Sequence, residues 1–261
     1  MKRDIKFFIA MSVANLRNAY VLRTSFWIGV ISMILNNLTF FVIWLLFMNA
    51  TGPINGWTSV DVIGMIGVST FCFGVCHSFF YGVKELPEFV VKGSFDSVLL
   101  APVSSFVKLA GLSFSVTAYG DLLMGISIMI FYGIYLKFTL VVWLLFILAA
   151  LSGCVIFICF RLLASLIVFF VYDGELVSTQ MMDIFMRPGL YPGGIFPYKL
   201  KVFLLTAIPI LITSAMPIDI IKAKSVTLLI TSISISIFWV IITRIMYKFA
   251  IKRYESGNLL R

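Results

Sequence analysis

The sequence predicts an all-α membrane protein with several transmembrane helices, and three observations support this prediction. The chain has no charged side chain between Arg23 and Asp61, and similar gaps recur, each about long enough to cross a hydrocarbon core of about 30 Å. Hydrophobic residues make up 61% of the 261 residues and charged residues only 12%, whereas a soluble domain has about 25% charged residues. Unpaired backbone groups in lipid cost several kcal/mol each, and helices satisfy those groups internally.

Before the first apolar stretch, the sequence predicts an amphipathic helix at residues 3–22 that lies in the membrane interface. Apolar residues recur there at steps of three and four, while Lys2, Lys6 and Arg17 stand off that stripe. The alternative is a simple basic anchor for the first span. The segment lacks the apolar block and small-residue cleavage site of a secretory signal, so we expect it to stay on the mature protein.

Uncharged stretches and turn residues define five spans and a sixth, disputed one. Their approximate bounds are 26–48, 60–84, 107–136, 138–160, 162–186 (disputed) and 225–247. Lys and Arg near span ends favour the cytoplasm, and they concentrate in the N-terminus, the loop after the second span and the C-terminal tail. Both termini of this cell-membrane protein are therefore expected in the cytoplasm. The net charge of +9 then reflects topology and anionic headgroups, with no role for nucleic acid.

The segment from residue 161 to residue 201 admits two topologies. In the first, the whole segment is cytoplasmic and residues 202–218 form a span, an arrangement that charge placement slightly favours. In the second, residues 162–186 form the fifth span and residues 198–220 form a re-entrant hairpin that dips in from outside. The second topology places Asp173 and Glu175 at or near membrane depth.

The loop at residues 85–106, between the second and third spans, has more pattern than a linker needs. It predicts an amphipathic helix, a break at Gly93 and a short apolar turn that ends at Pro102. Gly93, Phe95, Asp96, Leu99 and Pro102 match the pattern Gly-x-(Leu/Phe)-Asp-x-x-Leu-x-x-Pro. In this element the chain resembles the permease subunits of type-2 ATP-binding-cassette (ABC) exporters.

Looser similarities to that family extend over nearly the whole chain. They include Arg161 after the fourth span, Tyr191-Pro192 before the hairpin, and the tail at residues 253–257. The resemblance implies six transmembrane helices with an N-terminal interfacial helix, a cytoplasmic coupling helix and a re-entrant hairpin before the last span, and so favours the second topology. It also implies a membrane-spanning exporter subunit that pairs with a second permease, as a homodimer or heterodimer, and is driven by cytoplasmic ATP-binding subunits.

In such an exporter the loop is a coupling element that docks into the ATP-binding subunit. The residues assigned to coupling all lie in this loop: Glu85, Leu86, Glu88, Phe89, Val90, Gly93, Phe95, Asp96, Leu99 and Pro102. Leu86, Phe89 and Val90 are expected to form an apolar knob, and the charged residues beside them to make rim contacts. Gly93 would allow a sharp turn, and Asp96 would cap the following turn. A second interpretation, in which these residues only settle the loop on the bilayer surface, stays open.

The sequence assigns no catalytic, cofactor or metal site to this chain. It has no Gly-x-x-x-x-Gly-Lys-Ser/Thr phosphate loop, so ATP and magnesium are expected on the partner subunits. His77 is the single histidine, and it lies with Cys72 and Cys76 in an apolar run where cysteine usually packs as a small hydrophobe. Ionisable groups at membrane depth are functional candidates, which makes Asp121, near the middle of the predicted third span, and Asp173 and Glu175 candidates for the translocation path. For Asp121, pairing with a Thr, Tyr or Lys of a neighbouring helix is an equally open interpretation.

Two other classes of protein compete with this interpretation. A secondary transporter would work without an ATPase partner, but it would normally show internal repeats, and the two halves of this chain show none that is convincing. A membrane enzyme would need paired carboxylates or a histidine cluster, which one histidine and scattered acids do not provide. The sequence does not select the cargo.

Overall fold

The computed structural model describes residues 2–21 and 23–254, with the backbone alone for residues 19–21 and 23. The last residue of the predicted interfacial helix, Leu22, and residues 255–257 of the tail lie outside the described part. Within it the chain forms twelve α-helices: α1 Lys2–Val21, α2 Arg23–Thr51, α3 Ser59–Phe79, α4 Gly82–Val91, α5 Asp96–Leu99, α6 Ser105–Gly111, α7 Ala118–Tyr135, α8 Leu140–Leu166, α9 Gly174–Met186, α10 Tyr198–Thr206, α11 Ala215–Ala223 and α12 Val226–Ile251.

Five helical segments of the described chain are long and apolar enough to cross a membrane. They are Thr24–Thr51, Ser59–Phe79, Ala118–Tyr135, Leu140–Phe169 and Val226–Ile251. The first, second, fourth and last overlap the spans that the sequence predicts at 26–48, 60–84, 138–160 and 225–247. The all-helical membrane architecture is therefore confirmed.

The predicted third span, 107–136, is not one helix. It is divided into α6 and α7 by non-helical residues 112–117. In this break the Ser115 hydroxyl lies 2.9 Å from the Thr117 hydroxyl. The Ser115 backbone N–H donates to the carbonyl of His77, 3.1 Å away at the end of α3. A tertiary hydrogen bond thus replaces the helical one that hydropathy predicts.

The predicted fifth span, 162–186, is also divided. α8 continues to Leu166 and tightens into a 3₁₀ turn at Ile167–Phe169, and α9 begins only at Gly174. The intervening residues 170–173 include Asp173, a residue type that favours turns. The predicted fourth span, 138–160, therefore ends about six residues before α8 does, and the predicted fifth span begins inside α8.

Helices α3 and α7 pack closely because glycines line their contact. A Cβ added to Gly74 of α3 would stand 2.5 Å from the backbone nitrogen of Leu122, and one added to Gly125 of α7 would stand 2.5 Å from that of Phe71. Small residues that let backbones approach are the usual basis of helix association in membranes, where lipid is as apolar as the helices. This pair forms the rigid centre against which α2 and α8 pack.

The bundle has two ends, which we name by the connections that lie there. The loop end contains the connection from α3 to α6 (residues 80–104), and the far end contains the connection from α2 to α3 (residues 52–58). Helix α1 rests at the loop end, where the ring of Phe8 lies 5.2 Å from that of Phe80 and Asn15 Nδ2 donates to the Gly111 carbonyl at 3.0 Å. Its exposed residues include an apolar stripe, Ile5, Ile9, Val13 and Leu16, as an interfacial helix requires.

Residues 174–195 run from the loop end to the far end. The pKa of Lys92 is raised by its bond to Glu88 and, to a smaller extent, by Glu175 in the first turn of α9, and α9 packs beside α4. Gly194 lies at the far end, where its carbonyl accepts a hydrogen bond of 2.8 Å from Asn55 Nδ2. The chain then turns back as a hairpin of α10 and α11, which reaches the middle of α12: Trp239 Nε1 donates to the Thr206 carbonyl at 2.9 Å.

Candidate functional site

The connection that carries the family pattern is an ordered element. Helix α4 ends at Val91, and Gly93 takes a φ of 67°, in the left-handed region that glycine tolerates best. The backbone N–H groups of Ser94 and Phe95 then both donate to the Phe89 carbonyl, at 2.9 and 3.1 Å. This wrapped turn leads directly into α5, so the element has a fixed shape of its own.

An apolar cluster fixes this element to the rest of the bundle; we call it the anchor cluster. Its buried members are Val83, Leu86, Phe95, Val98, Leu109, Ala110, Leu162, Leu166, Tyr247 and Ala250. The Phe95 ring lies 5.9 Å from that of Phe169 and 5.2 Å from that of Tyr254, with both pairs in edge contact. The cluster therefore joins the loop to α6 and to the ends of α8 and α12.

The side chains that the loop turns outward differ from the predicted knob. Leu86 is fully buried in the anchor cluster, and Phe89 and Val90 are half-buried. The exposed apolar residues are instead Val91 (69% exposed), Leu99 (38%) and Leu100 (85%); we call these three the outer patch. The apolar knob predicted at Leu86 is therefore wrong, because that side chain faces α6 and α8 rather than solvent.

The charged residues of the loop and its Pro102 differ in burial and in the contacts they make. Phe95, not Asp96, stands at the N-cap of α5, so the predicted cap is wrong; Asp96 instead interacts with Tyr254. Burial, and after it this carboxylate, raise the pKa of the Tyr254 phenol. Glu88 pairs with Lys92 on the exposed face of α4. Glu85 is half-buried and Pro102 is exposed in the turn after α5.

A cavity of about 520 Å³ lies between α2, α3, α7, α8 and the turns that follow α9 and α10. Its described lining is largely apolar, with Met65, Phe73, Phe157 and Ile210 among the larger side chains, and Asp121 is its single ionisable residue. Such a space suits an amphiphilic molecule, because pockets of 300–1,000 Å³ with a few polar groups are typical of small-molecule sites.

Asp121 differs in position from the prediction that put it near the middle of a span. It lies in the first turn of α7, and it is 2% exposed. Asn37 Nδ2 of α2 donates to Asp121 Oδ1 at 2.6 Å, while Oδ2 has no hydrogen-bond partner among the described residues. A buried carboxylate with one oxygen unsatisfied is costly, which makes Asp121 the strongest polar feature of the cavity wall.

Asp173 and Glu175 do not join Asp121. Both are exposed, at the start of α9 and beside the loop, and neither lines the cavity. The sequence placed them at or near membrane depth because it assumed one continuous helix over 162–186, whereas α9 begins at Gly174. The structure therefore places these two carboxylates at the loop end.

The remaining buried polar residues make local contacts. Arg161 of α8 donates through Nη2 to the hydroxyls of Ser165 and Ser178, at 3.2 and 2.5 Å, and so joins α8 to α9. His77 Nδ1 lies 3.1 Å from the Phe73 carbonyl, and its ring stacks on that of Phe73. The described residues contain no group of three or more His, Cys, Asp or Glu that could hold a metal ion.

The far end contains an ion-pair network that the sequence analysis missed. Asp61 Oδ2 accepts from Lys222 Nζ at 2.8 Å and from the Thr58 backbone N–H at 2.9 Å, and its Oδ1 accepts from the Tyr132 hydroxyl at 3.2 Å. A second pair, Lys201 and Asp219 at 2.7 Å, ties α10 to α11. The capping box Thr58-x-x-Asp61 was the readable signal, but no local pattern reveals Lys222.

Comparison with known families assigns this architecture to a class. The model of the family described as ABC-2 family transporter protein matches residues 33–257, which is most of the chain. The chain therefore belongs to the ABC-2 family of transporter proteins, and it is a multi-pass membrane permease of an ABC transporter. No curated protein and no solved structure matches it.

Proposed function

We propose that this chain is the membrane-spanning subunit of an ABC exporter, which forms the translocation path and is driven by separate cytoplasmic ATP-binding subunits. One observation supports the proposal most directly. In this member of the ABC-2 family, the anchor cluster packs the loop at residues 85–106 against the bundle, while three apolar side chains of the same loop are exposed. ATP and magnesium belong to the partner subunits. This chain supplies the path and the coupling element.

The outer patch and its surroundings are the proposed docking surface for the ATP-binding subunit. Val91, Leu99 and Leu100 supply an apolar centre, and Glu88 and Lys92 supply a charged rim. Protein interfaces commonly have this arrangement of a desolvated apolar centre with a polar rim. Gly93 and the buried Phe95 hold the two halves of the patch at a fixed spacing.

The anchor cluster is the proposed route by which motion of the partner reaches the spans. A close-packed interior transmits strain, because its side chains interdigitate with few voids. Leu86, Phe95 and Val98 belong to the loop, whereas Leu162 and Tyr247 belong to α8 and α12. Displacement of the outer patch would therefore move the ends of both helices together.

The proposed topology has six crossings and a hairpin that enters from the outside, with both termini in the cytoplasm. Two contacts support it: Glu175 lies near Lys92 at the loop end, and Gly194 bonds with Asn55 at the far end. A wholly cytoplasmic segment 161–201 does not accommodate both contacts. The hairpin's hydrogen bond to Trp239 lies about halfway along α12, as a re-entrant element requires.

The cavity beside Asp121 is the proposed part of the translocation path that this chain contributes. Helix α2 forms one wall of the cavity and is otherwise mostly exposed, so a second permease, identical or related, would cover its outer face. Asp121 and Asn37 would meet a polar group of the cargo, and the aromatic wall would meet its apolar body. Asp173 and Glu175, next to the docking surface, have no place in this path.

Replacement of Leu100 by Ser tests the docking surface. Leu100 is 85% exposed, so the variant should fold normally, but the complex should lose affinity for its ATP-binding subunit by at least about tenfold, as for a central interface residue. Leu136→Ser, an exposed leucine in the connection from α7 to α8, is the matched control. Co-purification and ATP turnover in reconstituted vesicles are the measurements.

Equal retention of the ATP-binding subunit by both variants would exclude the outer patch as the docking surface. Transport by the purified chain without any ATPase would establish a secondary transporter instead.

A further inference from the structure

A second concave site lies at the loop end, on the other side of α8 from the cavity. It is a groove of about 680 Å³ between α8, α12 and the start of α6. Its α8 residues include Val155, Ile158 and Leu162, whereas the cavity uses Phe157. At about 100° per residue, Phe157 faces away from those three, so α8 separates the two sites.

The wall of the groove is divided by chemistry along its length. The deeper part is apolar and includes Val155, Ile158 and Val240. Toward the loop end the wall carries Arg244, Lys248 and Lys252. Arg244 and Lys248 lie on α12 and Lys252 is its C-cap, so the three cations, four residues apart, lie on the same side at a spacing of about 6 Å.

The three cations have no carboxylate partner within the described chain. The ion pairs there join Lys92 with Glu88, Lys201 with Asp219, and Lys222 with Asp61. None of the described residues that line the groove is acidic, and Asp4, which accepts from the backbone N–H of the groove residue Ser104 at 3.3 Å, does not line it. The groove therefore has a net positive mouth.

We propose that this groove binds one anionic phospholipid, with its phosphate at Arg244, Lys248 and Lys252 and an acyl chain along Val155, Ile158 and Val240. From Val240 to Lys252 the groove spans about 18 Å, which accommodates a headgroup, the glycerol and the upper part of an acyl chain. Basic pockets between transmembrane helices on the cytoplasmic side are suited to anionic headgroups. The lipid would contact the Tyr247 hydroxyl region and Phe106, and so would rest against the anchor cluster.

Charge complementarity selects this occupant over a protein segment. An acidic peptide would match the cations, but it would leave its backbone N–H and C=O groups unpaired against the apolar wall. A phospholipid has no such groups along its acyl chain. The bulk preference of Lys and Arg for the cytoplasmic side does not require a groove, so a cation outside the groove at the same depth is the informative control.

Arg253 provides that control. It follows Lys252 directly, but its guanidinium lies over the rings of Phe170 and Phe249, about 5 Å from each, and it does not line the groove. The full chain, purified in mild detergent, is titrated with phosphatidylglycerol and with phosphatidylcholine, and bound lipid is counted by native mass spectrometry. The unaltered chain should bind phosphatidylglycerol at least about tenfold more tightly than phosphatidylcholine.

The triple variant Arg244→Gln, Lys248→Gln, Lys252→Gln should lose that preference, since each cation near a membrane surface contributes about fivefold. Arg253→Gln should keep it. Ile158→Trp fills the apolar part without changing charge and should weaken binding of both lipids. Equal binding of the two lipids by the unaltered chain, an unchanged preference in the triple variant, or full displacement of the lipid by glycerol phosphate alone would overturn the proposal.

Discussion

The loop end and the far end of the bundle both pack apolar side chains, but the far end adds an ion pair to a buried carboxylate. At the loop end, Leu86, Phe95 and Val98 pack into an apolar cluster with α8 and α12. At the far end, Lys222 bridges Asp61, the Gly56 carbonyl and the face of Trp57. The far end is also closely packed, because Trp57 belongs to the main apolar core, so its directional bonds orient the hairpin on contacts that are already apolar. We infer that the loop end moves as one body and that the ion pair fixes the position of the hairpin at the far end.

The largest effect should come from Phe95→Ala at the loop end. Phe95 is fully buried between Phe169 and Tyr254, so its loss should lower the free energy of unfolding by about 3–5 kcal/mol. Denaturation of the purified chain by SDS in mild detergent measures this change. Phe131→Ala, which alters an exposed ring on α7, is the control and should have little effect. Similar losses in both variants would remove the special role of the anchor cluster.

A slightly smaller effect separates the inner and outer faces of the loop. Leu86→Ala should lower the free energy of unfolding by about 2–5 kcal/mol, because that side chain is buried in the anchor cluster. Leu100→Ala should leave unfolding unchanged and should weaken binding of the ATP-binding subunit. Unfolding curves and a pull-down with the partner distinguish the two. If Leu86→Ala instead weakened partner binding and Leu100→Ala instead lowered the free energy of unfolding, Leu86 would be the exposed docking residue after all.

At the far end, Lys222→Met should lower the free energy of unfolding by about 1–3 kcal/mol, because it removes a charged donor from Asp61. The double variant with Asp61→Asn should cost less than the sum of the single changes, and a double-mutant cycle measures the difference. Lys199→Met changes an exposed lysine of α10 and serves as the control. If the free-energy changes of the two single variants add up to that of the double variant, the ion pair does not hold the hairpin to α3.

The smallest effect should follow Glu88→Gln. Its pair with Lys92 is exposed on α4, and surface pairs of this kind contribute little. The melting temperature of the variant should therefore match that of the unaltered chain within error. A clear drop would show that charge, and not burial, positions the loop, and would erase the contrast between the two ends.

The sequence predicted most of the architecture because long uncharged stretches in lipid leave the backbone few alternatives to a helix. It missed the break at residues 112–117, since hydropathy does not register that the Ser115 N–H would bond to His77, 38 residues away. It extended α9 backward to residue 162 for a similar reason. Composition shows which stretches of the chain are apolar, but tertiary contacts decide where one helix ends and the next begins.

The candidate site was predictable in place but not in orientation. Gly93, Phe95 and Pro102 located the loop by their spacing. Whether Leu86 or Val91 faces outward could not be derived, because the ten-residue helix α4 has apolar residues on both faces and its partners on α8 and α12 are far along the chain. The pairing of Asp61 with Lys222, 161 residues apart, was beyond local pattern for the same reason.

The break that precedes α7 also has an effect on the lipid around the protein. With 18 residues, α7 is about 27 Å long, whereas the 27 residues of α8 extend about 40 Å. Exposed side chains of α7, among them Ile130 and Phe131, meet acyl chains on the shorter flank. Because a bilayer adapts to the hydrophobic length of the helix it touches, we expect the membrane to be thinner beside α7 than beside α8.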